Sequence, residues 1–341
     1  MIKGLEENDL HKKMVISGFL LEICNCSKPL QTDLKKEFFE RFLDSNLIEL
    51  LIKIMVETHL GEELHDNFKV SKASLLKINA GEILTNCFQI LPGKMKQYLL
   101  SEKQKKSDYN VLSLLLNLLK YSPMAGLKFC LAEFYKTLLE PDTKESKNEF
   151  VDAFFDKLII KLTDSLVNPL PKNKSLAETF ELSQHLILDI LMHSIKSHPN
   201  KAANYIVRSK LLVTLESLYT SPSKCTRLDM LKLLKTIITT KEDIILKHIA
   251  EKQLLQPLFN IAKHSKRDNL IHSSILSLFD LICKEDIKVL LEVIAREELE
   301  LCNDKLVKLL KEKIEKNVRL LGKREYKTIQ DFSPATVFTF E

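Results

Sequence analysis

Tryptophan is absent from this 341-residue chain, and glycine is almost so, with 7 residues against 17 phenylalanines. So few glycines leave little room for the backbone turns that cradle phosphates or build tight loops, and no glycine-rich phosphate motif occurs. Equally missing are a G-x-S-x-G elbow, a C-x-x-C pair and an H-E-x-x-H helix, which removes the common hydrolase, dithiol and zinc-protease signatures. No stretch reaches the ~18 uncharged apolar residues of a membrane span, and the N-terminus places Glu6, Glu7 and Asp9 where a signal peptide needs an apolar core. A net charge of +5, from 51 basic and 46 acidic residues, is too even to argue for nucleic acid. The 7 cysteines are odd in number and scattered through apolar runs, as expected of reduced thiols and not of a disulfide framework.

What the chain does have is helical periodicity from end to end, with no alternating apolar and polar run bounded by turns. It also repeats itself. Leu188, Ile190, Leu191, Ile195, Ile206, Leu211, Leu212 and Leu215 return 43 residues later as Leu231, Leu233, Leu234, Ile238, Ile249, Leu254, Leu255 and Leu258. A third copy slips by two residues, Ile249-Ala250 reappearing as Ile294-Ala295. A period near 43 is that of HEAT and armadillo helical units, whose apolar faces are buried only by stacking on one another. The predicted fold is therefore all-α, a right-handed α-solenoid of armadillo/HEAT-like repeats.

Expected organisation runs from N-terminal helical repeats with insertions over 1–168, through an exposed loop at 169–175 carrying Pro169 and Pro171, to regular repeats over 176–321 and a tail at 322–341. Pro92 and Pro199 follow long helical segments 107 residues apart, so the first half is expected to share the architecture of the second. The final helix is expected over Asn303–Leu321.

Three constellations merit weighing for chemistry. His185, Asp189 and His193 are spaced i, i+4, i+8 on one helix, but two turns set the outer histidines ~12 Å apart and a closed zinc site wants a fourth ligand, so a polar stripe is the better reading. Cys24 and Cys26 have the wrong spacing for a redox dithiol. Basic residues gather at Lys103, Lys105 and Lys106 and along Lys308–Arg324, yet stacking aromatics are lacking there, and a solvated charged face accounts for them. No catalytic residue, cofactor or metal is expected.

The ordered segments Lys241-Glu242-Asp243, Gln256-Pro257-Leu258-Phe259, Arg267-Asp268-Asn269-Leu270, Leu278-Phe279 and Glu285-Asp286-Ile287-Lys288 resemble the armadillo-like core of the regulatory subunit 3 family of protein phosphatase 4, the SMEK (suppressor of MEK) family. The likeness extends over roughly Asp9–Lys316, and this family's small N-terminal pleckstrin-like domain and long acidic tail have no counterpart in the sequence. The resemblance implies a non-catalytic scaffold that joins the phosphatase 4 catalytic subunit and a further regulatory subunit, helps select phosphoprotein substrates, and works in nucleus and cytoplasm, without nucleic acid or membrane. It points to Lys241, Arg267, Asn269, Glu285, Asp286 and Lys288 as partner-binding residues, each of which could instead serve as a cap or turn residue. The competing reading is an armadillo-type peptide-binding adaptor, which would carry a ladder of asparagines at repeat spacing; only Asn204 and Asn260 approach one.

Overall fold

The computed structural model describes residues 2–7, 9–26, 32–43, 47–57, 72–101, 111–141, 149–264, 270–296 and 312. Among the described residues every regular element is helical, as the periodicity predicts. Apart from residue 312, the expected helix over Asn303–Leu321 lies outside them, as do the tail at 322–341 and the basic run at Lys103–Lys106. None of the described helices is long and apolar enough to cross a membrane. The chain divides into two compact units, Met1–Glu242 and Asp243–Glu341, and the Pro169–Ser175 segment lies within the first.

In the first unit, five long helices pack side by side in chain order: α2 (Leu10–Cys26), α5 (Lys72–Ile90), α8 (Ala125–Leu139), α11 (Lys174–Ser197) and α14 (Lys224–Thr239). Shorter α1 (Ile2–Glu6) and α4 (Leu47–Val56) pack on α2 and α5, and α4 also meets α7 (Val111–Tyr121). Further helices complete this unit: α3 (Thr32–Leu43), α6 (Pro92–Leu100), α9 (Glu149–Ala153), α10 (Ile159–Thr163), α12 (Pro199–Ser209) and α13 (Leu211–Leu215). A single π-turn at Phe154–Leu158 joins α9 to α10.

Helix boundaries follow local chemistry. Asn173 caps α11 by accepting the Leu176 N–H at 3.2 Å, and Ser223 caps α14 by accepting the Thr226 N–H at 3.3 Å, contacts worth ~1 kcal/mol each. At Pro92 and Pro199 the helix breaks one residue earlier, at Leu91 (φ −127°, ψ 54°) and His198 (φ −137°, ψ 61°), and proline takes the first position of the next helix. Proline lacks the N–H that is unpaired there anyway, and its ring fixes φ near the helical value. The two breaks share the same backbone, and each following helix starts at the proline itself.

The second unit contains α15 (Asp243–Glu251), α16 (Gln256–His264), α17 (Leu270–Lys284) and α18 (Lys288–Arg296); α15 packs on α18, and α17 on both α16 and α18. All sixteen apolar residues of the 43-residue repeat, from Leu188 to Leu258, are buried in their respective units, none more than 6% exposed. Burial of a leucine or isoleucine of this kind is worth ~1.5–3 kcal/mol, so the repeat is the spacing of the core.

Polar groups join the long helices where apolar residues alone would leave register unspecified. Asn79 Nδ2 donates to Ser17 Oγ at 3.1 Å between α5 and α2, Thr226 Oγ1 to Gln184 Oε1 at 3.1 Å between α14 and α11, and Gln184 Nε2 to the Leu166 carbonyl at 2.8 Å. Lys128 of α8 is wholly enclosed and donates to the Thr179 carbonyl at 3.0 Å and Ser183 Oγ at 2.5 Å. Ser183 in turn donates to the Lys120 carbonyl at 2.9 Å. Removal from water penalises the ammonium form and lowers the Lys128 pKa from 10.5 to about 8. Between those two values the unfolded chain holds a proton that the folded chain has released, so stability rises with pH across that window. In urea titrations, the midpoint difference between Lys128→Met and wild type should move in favour of wild type as pH rises from about 8 to 10.5; a difference that stays constant would show a lysine still charged at its buried position.

Candidate protein-interaction surface

Of the six residues singled out in the sequence, Arg267 and Asn269 lie outside the described residues. The other four occupy two equivalent turns. Lys241 ends α14 with φ 57°, its N–H bonded to the Ile238 carbonyl at 3.2 Å, and Asp286 ends α17 with φ 53°, its N–H bonded to the Cys283 carbonyl at 3.3 Å. The two are 45 residues apart, the same slip as between Ile249 and Ile294. Glu285, Asp286 and Lys288 share one turn, with Glu285 and Lys288 exposed at its edges.

These are left-handed helix ends. After Asp286 the Ile287 N–H reaches back to the Ile282 carbonyl at 3.2 Å, and after Gln253 (φ 53°) the Leu254 N–H reaches the Ile249 carbonyl at 3.1 Å. That closing bond uses carbonyls the helix leaves unpaired and turns the next apolar residue inward; Ile287 is 7% exposed and Leu254 4%. Lys210, at φ 55°, occupies the place 43 residues before Gln253. For a side chain other than glycine this conformation costs ~1 kcal/mol. Lys241 and Asp286 therefore have a structural role of their own, whereas Glu285 and Lys288 project from ordinary helical and turn backbone. Beside Lys241, Glu242 accepts both bonds of the Asn200 amide, at 2.9 and 3.0 Å, in the amide orientation that satisfies the two groups.

The stripe on α11 resolves into pairs. His185 Nδ1 meets Asp229 Oδ2 of α14 at 2.7 Å, and Asp229 also accepts Lys232 Nζ at 3.0 Å. Asp189 accepts Lys136 Nζ of α8 at 2.9 Å, while Lys136 also reaches Glu133 at 2.5 Å. Burial and the neighbouring Lys136 cation lower the pKa of His193, and burial lowers that of His198, whose Nε2 lies 2.6 Å from the Leu139 carbonyl. His185 and Asp189 thus tie α11 to different flanking helices, α14 and α8, while His193 Nε2 lies 3.4 Å from Ser197 Oγ of its own helix. Among the described residues no group of three His, Cys, Asp or Glu side chains is placed to hold a metal ion. Cys87 and Cys130 are poor nucleophiles, since burial pushes their thiols up to about 12 and about 11, with Glu82 and Glu133 adding to the shift at Cys130.

Sequence reasoning missed the ties made by Lys128, Lys136 and Gln184. Each is polar within a helix and finds its interhelical partner 18 to 55 residues away along the chain, so single-sequence spacing carries no signal for that tie. Repeat register would have found one pair: Gln184 and Thr226 are 42 residues apart, nearly one repeat.

The profile of the phosphatase 4 regulatory subunit 3 family matches residues 2–316. The chain is 26% identical over 325 residues to Suppressor of Mek1 of Dictyostelium discoideum, covering 88% of this chain and 29% of that protein. It is 26% identical over 282 residues to serine/threonine-protein phosphatase 4 regulatory subunit 3 of Drosophila melanogaster, covering 80% of this chain and 27% of that protein. The chain thus spans less than a third of the length of these two curated relatives.

If Lys241 and Asp286 serve the backbone, glycine should serve as well. Lys241→Gly and Asp286→Gly should each hold or raise the unfolding free energy, by up to ~1 kcal/mol, and Asp286→Val should lower it by ~1–2 kcal/mol. Thermal or urea unfolding reads this directly, and a glycine variant that loses stability would show that the side chain itself is needed.

Proposed function

This chain belongs to the phosphatase 4 regulatory subunit 3 family, and from that premise we propose that it is a non-catalytic, helical-repeat subunit of a protein phosphatase 4 complex. In this reading it joins the catalytic subunit and a further regulatory subunit, contributes to the choice of phosphoprotein substrates, and acts in the nucleus and the cytoplasm. The observation that carries the reading is the family match over residues 2–316. The Drosophila relative bears the name of the same phosphatase subunit.

The architecture supports a scaffold. Neighbouring long helices of the first unit are fixed by buried hydrogen bonds and ion pairs, so a partner meeting that surface orders few side chains on binding and more of the contact energy remains as affinity. Charge at the α17–α18 turn supplies specificity: Glu285 and Lys288 are exposed, three residues apart and of opposite sign. Arg267 and Asn269 stay in the proposal as candidates drawn from the sequence resemblance. The adaptor reading has no comparable support.

The test is capture of the catalytic subunit from cell extract on the purified full chain, followed by mass spectrometry and by measurement of affinity with the purified partner. Glu285→Lys combined with Lys288→Glu should weaken binding by at least ~10-fold, about 1.4 kcal/mol, with helicity unchanged. Failure of the folded wild-type chain to bind the catalytic subunit, alone or with the further regulatory subunit present, would sink the assignment. Binding that survives the charge reversal would move the contact away from this turn.

A further inference from the structure

Helix α2 shows two opposite stripes. Lys13, Ser17, Leu20 and Cys24 are buried, none above 6% exposed, and face the rest of the first unit. Lys12, Val15, Phe19 and Glu22 are exposed, with more than half of the surface of Val15 (55%) and Phe19 (56%) open to solvent. Helices α5, α8 and α11 each pack against a long helix on both sides, whereas among the described long helices α2 packs only on α5. Two large apolar side chains one turn apart on an open face of α2 are more than scattered surface residues.

The open stripe has an internal symmetry. Lys12 and Glu22 each lie five residues from position 17, and Val15 and Phe19 each lie two residues from it. The spacing 12, 15, 19, 22 is three, four, three, which keeps all four on one narrow seam of an α-helix. When two such seams meet antiparallel about position 17, each Lys12 faces a Glu22 of the other helix and each Val15 faces a Phe19. Both charges and both apolar residues are complementary under a two-fold axis, the condition for an interface in which the same patch serves both subunits.

We propose that the exposed face of α2 binds a second copy of this chain, through an antiparallel α2–α2 pair with Val15 and Phe19 at its centre and two Lys12–Glu22 ion pairs at its ends. The inference is independent of the phosphatase assignment. Among the described residues the Lys12 ammonium pairs with Glu7, at 2.5 Å, with both side chains about half exposed, an exchangeable surface pair worth well under ~1 kcal/mol. One pair of helices buries less than the ~1,600 Å² of a standard interface, so association should be reversible, on the order of micromolar. The complementary charges then fix the antiparallel register, because a parallel pairing would set Lys12 against Lys12 and Glu22 against Glu22.

Sedimentation velocity on the full chain over a micromolar concentration series tests this. The wild type should move from 39.3 kDa towards twice that mass as concentration rises. Phe19→Glu should stay monomeric at every concentration with unchanged helicity and thermal midpoint, since the residue is exposed. Lys12→Glu and Glu22→Lys should each weaken self-association, and mixing the two in equal amounts should restore it, because every end contact then regains opposite charges. A wild type that remains monomeric throughout overturns the proposal. So does a dimer that persists in Phe19→Glu, or single charge variants that do not recover on mixing.

Discussion

No helix in this chain can bury its own apolar stripe, and the rest of the structure depends on that. Leu188, Leu191 and Ile195 on α11 leave water only because α8, α12 and α14 lie against them, and each of those helices has the same need. Stability is thus distributed along the first unit as nearest-neighbour contacts, in the manner of repeat proteins. A period in sequence becomes a period in space: the spacing of buried leucines is the distance along the chain from one layer to the next.

Apolar contact alone is indifferent to a one-turn slide of one helix along another. The groups joining the long helices remove that freedom, because Asn79, Lys128, Gln184 and Asp229 each have a bond only in one register. A buried polar atom left unpaired costs ~1–3 kcal/mol, so a slipped register would forfeit several such bonds together. The enclosed Lys128 shows the tension most sharply, its ammonium form disfavoured by the burial that its hydrogen bonds require. Rigidity of this kind suits the scaffold role proposed for the chain, and it leaves helix ends and outer helix faces as the parts of the described surface that the ties do not occupy.

Much of the architecture was legible in the sequence because its signals are local. Pro92 and Pro199 broke the chain at matched positions, since missing N–H groups and restricted φ act within one turn. The site residues were legible only in part. The Lys241 and Glu285–Lys288 segments do fall at equivalent turns, but the left-handed conformation of Lys241 and Asp286 gives them a backbone role that a lysine or aspartate does not announce. His185 and Asp189, adjacent on their helix, are claimed by partners 44 residues downstream and 53 residues upstream, and no single-helix projection reveals either.

By itself, the sequence determined that the chain is all-α, that core positions over Leu188–Leu215 return after 43 residues, and that its family is that of a phosphatase regulatory subunit. Composition, period and ordered short motifs all survive without coordinates, because each is a property of residues close along the chain. Tertiary structure decided which helices neighbour one another, which polar residues tie them together, and which apolar residues stay outside. Those depend on the register between segments some 40 to 60 residues apart, where the side chain that satisfies a buried group is chosen by packing and not by spacing. Val15 and Phe19 read in sequence like any other core pair; only the packing of α2 against α5 and α1 on its other faces leaves them facing water.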